Sequence, residues 1–324
     1  MYLTRPLFWA LLLSVGFLIL YVGLGSLGWA SDEESLRSVG DASRWCERVH
    51  GGIFREPINA LSNIGFMVAG ILMLYVLTRD PSSKHATNRF HGRNPIANVY
   101  AFAVIWLGAG SMLMHGTHTY WGGWADNVGM IMYILLPWLI NVGDMGRWSA
   151  QRVLVTYAII VIVYATGRWT FGRGLGIHLD LWSLSIALWA ISESLYRFWS
   201  PGFRWLSGLI GFAVAAIFGI MPTEMLEQPD RFWWVLLFWI PALFASRNPN
   251  RTRTYSPWFF LGTTAFVLAF AIWLRGRPED PWCDPDALIQ MHGVWHLLTA
   301  FATWCIFKFL RTDVPETGQR SPRY

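Results

Sequence analysis

Apolar segments long enough to cross a lipid bilayer recur along almost the whole chain. A membrane-spanning helix needs about 20 mostly apolar residues, and such segments run from Leu7 to Leu310. The chain is 54% hydrophobic and only 14% charged, and its 21 tryptophans suit membrane interfaces, where an indole ring is half in water. We therefore predict an all-α, polytopic transmembrane helix bundle. The predicted spans are 7–29, 57–78, 95–116, 124–142, 152–166, 175–195, 203–222, 231–246, 257–275 and 288–310.

Two of these spans, 152–166 and 231–246, are short, and each could instead be a re-entrant segment that does not cross the membrane.

Cytoplasmic loops carry an excess of Lys and Arg, and with the N-terminus inside, the inner segments hold 16 of the 25 Lys and Arg residues. The tail 311–324 is therefore predicted to be cytoplasmic. Residues 1–30 are either a retained anchor or a secretory signal peptide, because a basic start and a long apolar run describe both.

Two histidines, His292 and His296, lie one helical turn apart at the start of the last predicted span. Residues at i and i+4 share a helix face, so both imidazoles can point at one atom. A third histidine, His115, lies at the same predicted depth near the outer face, and polar groups at membrane depth need a reason to be there. Three histidines with a vacant fourth position are the arrangement of catalytic zinc. We therefore predict a zinc site formed by these residues.

Ser111 and Asp126 are predicted to lie beside this site. Ser111 precedes His115 by one turn on the same face, and the following hairpin is too short for the helices to separate, so Asp126 returns beside His115. A carboxylate can accept or deliver a proton, and a hydroxyl can donate a hydrogen bond to a developing oxyanion. A polar stripe also runs along one face of the span 57–78, through Glu56, Asn59 and Asn63.

Taken alone, each of these residues has an ordinary structural explanation. A lone intramembrane histidine is more often a hydrogen-bonded packing residue than a ligand, and this is the favoured interpretation of His118 and His178. Ser111 alone is a helix-packing serine, and Glu56 alone caps the start of its helix. The occurrence of several such residues at one depth favours a metal site. Two further histidines are expected to be solvated in a basic cytoplasmic loop: His85 and His91.

Several short runs together resemble the alkaline ceramidase family. They are Trp45-Cys46-Glu47, Glu56-x-x-Asn59-x-x-Ser62-Asn63, Gly110-Ser111-x-x-x-His115, Asp126, and His292-x-x-x-His296-x-Leu298-Thr299. The resemblance covers about residues 45–310 and extends to a superfamily of intramembrane zinc hydrolases that includes the adiponectin receptors and the lipases that remodel glycosylphosphatidylinositol anchors. It implies that the three histidines hold zinc and that Ser111 and Asp126 are the catalytic partners. The implied reaction hydrolyses the amide of ceramide, a membrane lipid, to a sphingoid base and a fatty acid.

The chain departs from that family in two respects. Family members have seven spans, whereas nine are predicted here after the N-terminal one, so we predict a two-helix insertion at 203–246 within a hydrolase domain of residues 31–310. Members from higher organisms also carry a calcium site, two of whose residues are matched by Glu47 and Glu56. Arg44 stands where an aspartate is expected and Val49 where an asparagine is, so calcium is only weakly supported.

Two of the three cysteines, Cys46 and Cys283, both fall on the outer side, each next to a tryptophan, while Cys305 lies within the last span. An oxidising exterior favours pairing of the first two, and the family has a corresponding bridge. The alternative is that both thiols are free.

Other classes of function remain open on the sequence alone. A non-enzymatic lipid receptor would use the same fold with a structural zinc, and a lipid-ester hydrolase of the same superfamily would use the same metal site. Haem is disfavoured, because bis-histidine ligation leaves one clustered histidine spare and no Cys-x-x-Cys-His run is present. Nucleic-acid binding is not indicated, because the positive charge is spread along the loops predicted to be cytoplasmic.

Overall fold

The computed structural model of the chain describes residues 5–28, 38–39, 42–80, 88–92 and 94–315. Parts of the predicted N-terminal segment (1–4, 29–30) and of the tail (316–324) lie outside the described residues, as does His85. The α-helices are α1 (Arg5–Ser26), α2 (Pro57–Ser62), α3 (Ile64–Arg79), α4 (Pro95–Thr117), α5 (Tyr120–Met145), α6 (Ala150–Phe171), α7 (Leu181–Phe198), α8 (Pro201–Leu206), α9 (Ile210–Ile217), α10 (Pro222–Glu227), α11 (Pro229–Phe232), α12 (Ile240–Phe244), α13 (Trp258–Leu274) and α14 (Met291–Leu310). Three 3-10 helices (Arg173–Gly176, Ser207–Leu209, Trp233–Trp239) and four two-residue strands complete the described elements: β1 (Ser38–Val39), β2 (Ala42–Ser43), β3 (Arg251–Thr252) and β4 (Val314–Pro315).

Among the described residues, six helices are long and apolar enough to cross a membrane. α2 and α3 together form one of them, and the six are Arg5–Ser26, Pro57–Arg79, Pro95–Thr117, Tyr120–Met145, Ala150–Phe171 and Met291–Leu310. They correspond to six of the predicted spans, and two shorter apolar helices, Pro201–Ile217 and Trp258–Leu274, overlap the predicted spans 203–222 and 257–275. The prediction of an all-α, multi-pass membrane bundle is therefore confirmed.

The predicted span 175–195 begins later in the structure than the apolar pattern suggested. Gly172, Gly174 and Gly176 all have positive φ angles, which glycine adopts without steric cost. They form a turn with the 3-10 helix before α7, which starts at Leu181. Asp180 fixes this start, because its side chain accepts a hydrogen bond from the Ser183 backbone N–H.

Within the predicted two-helix insertion at 203–246, the structure has one apolar helical stretch, Pro201–Ile217, followed by several short helical segments. α9 ends at Ile217, just before Gly219 with a φ of +81°. The stretch predicted as the span 231–246 is divided between the end of α11, the 3-10 helix Trp233–Trp239 and α12. Pro241 lies in the first turn of α12, where a missing N–H is tolerated, but it could not lie inside one continuous helix without removing a hydrogen bond.

The chain divides into two compact units, the first of residues 1–129 with 253–314 and the second of residues 130–252 with 315–324. In the first unit, α3 packs against α4, and α14 packs against α3 and α13. Gly70 allows the close approach of α3 and α4, since a Cβ there would lie 2.6 Å from the carbonyl oxygen of Ala101. All of the predicted site residues belong to this unit.

One end of the first unit is fastened by an ion pair between Arg311, which follows α14, and Asp80, which follows α3. The guanidinium binds both carboxylate oxygens, each at 2.7 Å. Asn88 donates to the carbonyl of Asp313 at 2.7 Å. The expectation that His91 is solvated is wrong, because the residue is half-buried and its Nε2 donates to the carbonyl of Arg311 at 3.0 Å.

The second unit is held together by buried polar contacts between helices. Tyr157 on α6 donates its hydroxyl to the carbonyl of Met132 on α5 at 3.0 Å. Asn141 on α5 donates to the Glu193 carboxylate on α7 at 2.9 Å. Such contacts provide hydrogen bonds for polar groups that would otherwise be buried between apolar helices without a partner.

Candidate metal centre

The three predicted ligands come together in the first unit. His115 lies in the last turn of α4, and His292 and His296 lie in the first turns of α14. All three are buried. The ring centroids are 4.8 Å apart for His115 and His292, 5.0 Å for His115 and His296, and 4.5 Å for His292 and His296. One nitrogen from each ring lies within 4.8 Å of the other two.

The spacing of these nitrogens suits a tetrahedral metal. His292 Nε2 and His115 Nε2 are 3.1 Å apart. Zinc binds imidazole nitrogens at about 2.0–2.1 Å, so two ligands of a tetrahedral site stand roughly 3.3 Å apart. The observed separation therefore leaves room for an ion after only a small outward movement of the rings.

Glu56, immediately before α2, orients His115. Its Oε2 accepts hydrogen bonds from His115 Nδ1 at 3.0 Å and from Asn59 Nδ2 at 2.7 Å, and its Oε1 accepts one from His118 Nε2 at 2.6 Å. The carboxylate is fully buried; burial alone raises the pKa of Glu56, but the two imidazoles together bring it below its ordinary value. Because His115 Nδ1 is engaged by the carboxylate, Nε2 remains for a metal.

Sequence reasoning placed Glu56 in a polar stripe but missed its contact with two histidines. His118 is the C-cap of α4 and has a φ of +56°, a left-handed conformation that turns the chain after the helix. This turn brings the buried His118 ring back to the carboxylate. The sequence does show a second histidine three residues after His115, but its interpretation as a packing residue named no hydrogen-bond partner for it.

Ser62 has the same relation to His296. Its Oγ lies 2.8 Å from His296 Nδ1, and the same hydroxyl lies 2.9 Å from the carbonyl oxygen of Asn59. The hydroxyl donates to the carbonyl, and when the proton of His296 is on Nδ1 it also accepts from that ring nitrogen, so it bonds both groups at once. Ser62 was part of the motif that carries the family resemblance, but its partner could not be derived from spacing within α2.

Ser111 and Asp126 are both buried on helices that touch at a glycine. A Cβ at Gly110 would lie 2.5 Å from the carbonyl oxygen of Ala125 and 3.1 Å from the backbone nitrogen of Asp126. The absence of a side chain at Gly110 thus lets α4 and α5 approach closely. Ser111 follows this glycine and lies one turn before His115, as the sequence indicated.

Trp45 covers the histidine cluster from the segment before α2. Its ring centroid lies 4.9 Å from the ring of His115 and 4.9 Å from that of His292. The neighbouring Cys46 forms a disulfide with Cys283, so the predicted pairing is confirmed. The bridge ties the Trp45 segment to the loop that precedes α14.

Glu47, one of the two candidate calcium ligands, caps the start of α2. Its two oxygens accept hydrogen bonds from the backbone N–H groups of Ile58 and Asn59 at 2.6 and 2.8 Å. Burial raises the pKa of the Glu47 carboxyl, although these two donors oppose the shift. Nearby, Arg48 binds Asp286 at 2.5 Å and holds the pKa of that exposed carboxyl below its ordinary value.

The remaining candidate histidine, His178, is exposed and has a φ of +58°. Among the described residues, the groups that could hold a metal consist of the three clustered histidines. His178 is therefore not part of the candidate metal centre.

Comparison with known proteins found no match among curated sequences. The family model described as Ceramidase matches residues 41–322, which include every residue of the candidate metal centre. The match spans most of the chain and agrees with the resemblance carried by the short motifs. The chain belongs to the ceramidase family.

Proposed function

We propose that the protein is a zinc-dependent intramembrane amide hydrolase that cleaves ceramide-like N-acyl lipids to a sphingoid base and a fatty acid. The observation that carries this proposal is the convergence of three buried imidazoles, His115, His292 and His296, within an apolar helix bundle. Membership of the ceramidase family supports an amide as the bond that is cleaved. A membrane lipid suits a site surrounded by helices of this length and composition.

The three histidines would hold zinc through one nitrogen each, and the Nδ1 contacts of His115 and His296 favour Nε2 as that nitrogen. Zinc in such a site supplies Lewis acidity and lowers the pKa of a water molecule towards neutrality. The surrounding apolar helices exclude bulk water, which strengthens electrostatic interactions at the site.

Asp126 and Ser111 are proposed to act on the substrate. The Asp126 carboxylate takes a proton from the attacking water as its oxygen bonds to the amide carbon, and it later delivers that proton to the nitrogen as the C–N bond breaks. The Ser111 hydroxyl donates a hydrogen bond to the carbonyl oxygen as negative charge develops there. The products are one carboxylic acid and one amine, so the atoms of amide and water are accounted for.

The site is proposed to lie near the non-cytoplasmic face of the membrane, with the C-terminus in the cytoplasm. The support is the distribution of Lys and Arg along the chain. The disulfide between Cys46 and Cys283 agrees with this orientation, because such bonds form in oxidising compartments.

The metal assignment is tested by measuring bound zinc in purified full-length protein. Wild type should hold about one zinc per chain, and each of His115→Ala, His292→Ala and His296→Ala should lose most of it, since each removes one of the three ligands. His178→Ala is the matched control, because this exposed histidine lies outside the cluster, and it should retain zinc. Unchanged zinc in all three cluster variants would show that the ligand assignment is wrong.

The enzymatic assignment is tested with Asp126→Asn and Ser111→Ala. Asp126→Asn should keep its zinc but lose most turnover of a long-chain N-acyl sphingoid substrate. Ser111→Ala should lose roughly 10²–10³-fold in kcat, as expected for one oxyanion donor. A fully active Asp126→Asn protein would refute the role of this carboxylate. Zinc-loaded wild type that cleaves no N-acyl lipid would favour a binding role, and cleavage of the matching ester alone would favour a lipid esterase.

A further inference from the structure

Two of the three clustered histidines are held at Nδ1 by residues at the two ends of the same short helix, α2. His115 Nδ1 contacts Glu56, and His296 Nδ1 contacts Ser62, at 3.0 and 2.8 Å. Glu56 precedes α2 and Ser62 ends it, so the two partners are separated by about two helical turns. A metal-bound histidine usually has such a partner at its other nitrogen, which fixes the tautomer and the ring orientation.

The third histidine, His292, lacks this partner. Its Nδ1 is buried and has no hydrogen-bond partner among the described residues, while its Nε2 lies 3.1 Å from His115 Nε2. A neutral imidazole that binds a metal through Nε2 carries its proton on Nδ1, which is then a donor. A buried donor without an acceptor destabilises the state that contains it. Binding a metal at His292 therefore calls for an acceptor nearby.

Asn59 provides a buried acceptor close to Gly293, the residue that follows His292. It lies midway between Glu56 and Ser62 in the sequence, and its Nδ2 donates to Glu56 Oε2 at 2.7 Å, which fixes the orientation of the amide. Its Oδ1 is buried and has no partner among the described residues. This oxygen lies 3.7 Å from the position that a Cβ on Gly293 would occupy, and Gly293 is the residue after His292.

We infer that Asn59 is the positioning residue of His292: its Oδ1 accepts the proton of His292 Nδ1, directly or through one water molecule, when a metal occupies the histidine cluster. Glu56, Asn59 and Ser62, three residues apart, then each hold one histidine. A buried donor and a buried acceptor, both otherwise unpaired, satisfy each other in this way. The inference rests on the proposed function, because it needs a metal at the cluster.

The test compares Asn59→Leu with Asn63→Leu in full-length protein. Asn63 is the matched control, because it lies one turn further along, is fully buried and also has an Oδ1 without a partner. Its Nδ2 donates to the carbonyl of Asn59 at 2.8 Å, and among the described residues it makes no hydrogen bond to a clustered histidine. Zinc affinity is measured by competition with a chromophoric chelator, and the ligand field by the visible spectrum of the cobalt-substituted protein. Asn59→Leu should lower zinc affinity 10–100-fold and change the cobalt spectrum. Asn63→Leu should leave both near the wild-type result.

A double-mutant cycle separates this role from an effect through Glu56. If Asn59 acts on His292, adding Asn59→Leu to His292→Ala should weaken zinc binding little further, because the residue that it positions is already absent. If Asn59 acts through Glu56 and His115, the two losses should add, which would overturn the inference. Equal losses in Asn59→Leu and Asn63→Leu would also overturn it. If Asn59→Leu does not fold, Asn59→Ala removes the same oxygen with a smaller side chain and is expected to show the same loss.

The two proposals fail differently. Wild-type protein that binds no zinc overturns the proposed function together with this inference. Wild-type protein that binds zinc tightly and keeps that affinity in Asn59→Leu overturns only the role of Asn59.

Discussion

Gly110→Ala is expected to disturb the contact between the two helices that carry the proposed catalytic partners. The new Cβ would lie 2.5 Å from the carbonyl oxygen of Ala125 and 3.1 Å from the backbone nitrogen of Asp126. A Cβ atom does not lie within 3.0 Å of an oxygen in real structures, so one of the two helices has to move. The obstructing atoms belong to the backbone, so no rotation of a side chain relieves the contact and α5 must shift relative to α4.

The magnitude follows from two opposing effects on stability. Alanine is favoured over glycine in a helix interior by about 1 kcal/mol, whereas forcing an extra carbon into a packed contact costs typically about 1–3 kcal/mol. The net destabilisation is therefore small, roughly 0–2 kcal/mol. The effect on kcat should be larger, because a misplacement of about 1 Å at a reacting group can cost on the order of 10²-fold. Zinc content should hardly change, since the histidines lie on α4 and α14.

The assay measures Tm, bound zinc and turnover of an N-acyl sphingoid lipid for purified variants in detergent. Gly16→Ala is the matched control, because this α1 glycine has no atom within 4 Å of the position of the added Cβ. That variant should be as active as wild type and equally or slightly more stable. Wild-type turnover in Gly110→Ala, or an equal loss of activity in Gly16→Ala, would refute this role of the glycine.

Two further predictions concern the ion pair between Asp80 and Arg311 and the candidate calcium ligands. Asp80→Asn should destabilise the protein by roughly 1–3 kcal/mol at neutral pH, because it breaks a bidentate pair with Arg311. Burial raises the pKa of Asp80, but the Arg311 guanidinium and the Gly92 N–H lower it more. The stabilisation by this ion pair is therefore present above the ordinary Asp pKa and is lost as the pH falls through the lowered pKa of Asp80. The Tm difference between wild type and Asp80→Asn should shrink in acid. A Tm difference that does not change with pH would contradict this. Calcium chelation should not reduce activity, because the carboxylates of Glu47 and Glu56 already accept hydrogen bonds from groups of the protein. A loss of activity on chelation that added calcium restores would refute this.

The sequence predicted the features that depend on local pattern. A run of apolar residues predicts a helix of known length, and the spacing of His292 and His296 places both on one face. The return of α5 beside α4 also followed from the short hairpin between His115 and Asp126. These inferences need only the geometry of one or two neighbouring helices.

The features that the sequence did not reveal depend on contacts between distant segments. Nothing local to Glu56 indicates that it lies between His115 and His118, because that contact requires α2 to pack beside the end of α4. The same holds for Ser62 and His296, which are 234 residues apart. The insertion at 203–246 stays a prediction; apolar composition shows that a segment avoids water but not that it forms one continuous helix, and the stretch 231–246 is divided into shorter segments.

The geometry also explains why the segment before α2 belongs to the functional part of the chain. Trp45 packs on two of the clustered histidines, and the adjacent Cys46 is tied to Cys283 across 237 residues of sequence. Glu47 then caps the short helix α2, and the residues at its two ends, Glu56 and Ser62, contact His115 and His296. A displacement of this segment would therefore change the contact of Trp45 with the cluster and the orientation of the histidine rings together. The positions of the histidines are thus determined by residues outside the membrane-spanning helices as well as by the helices that carry them.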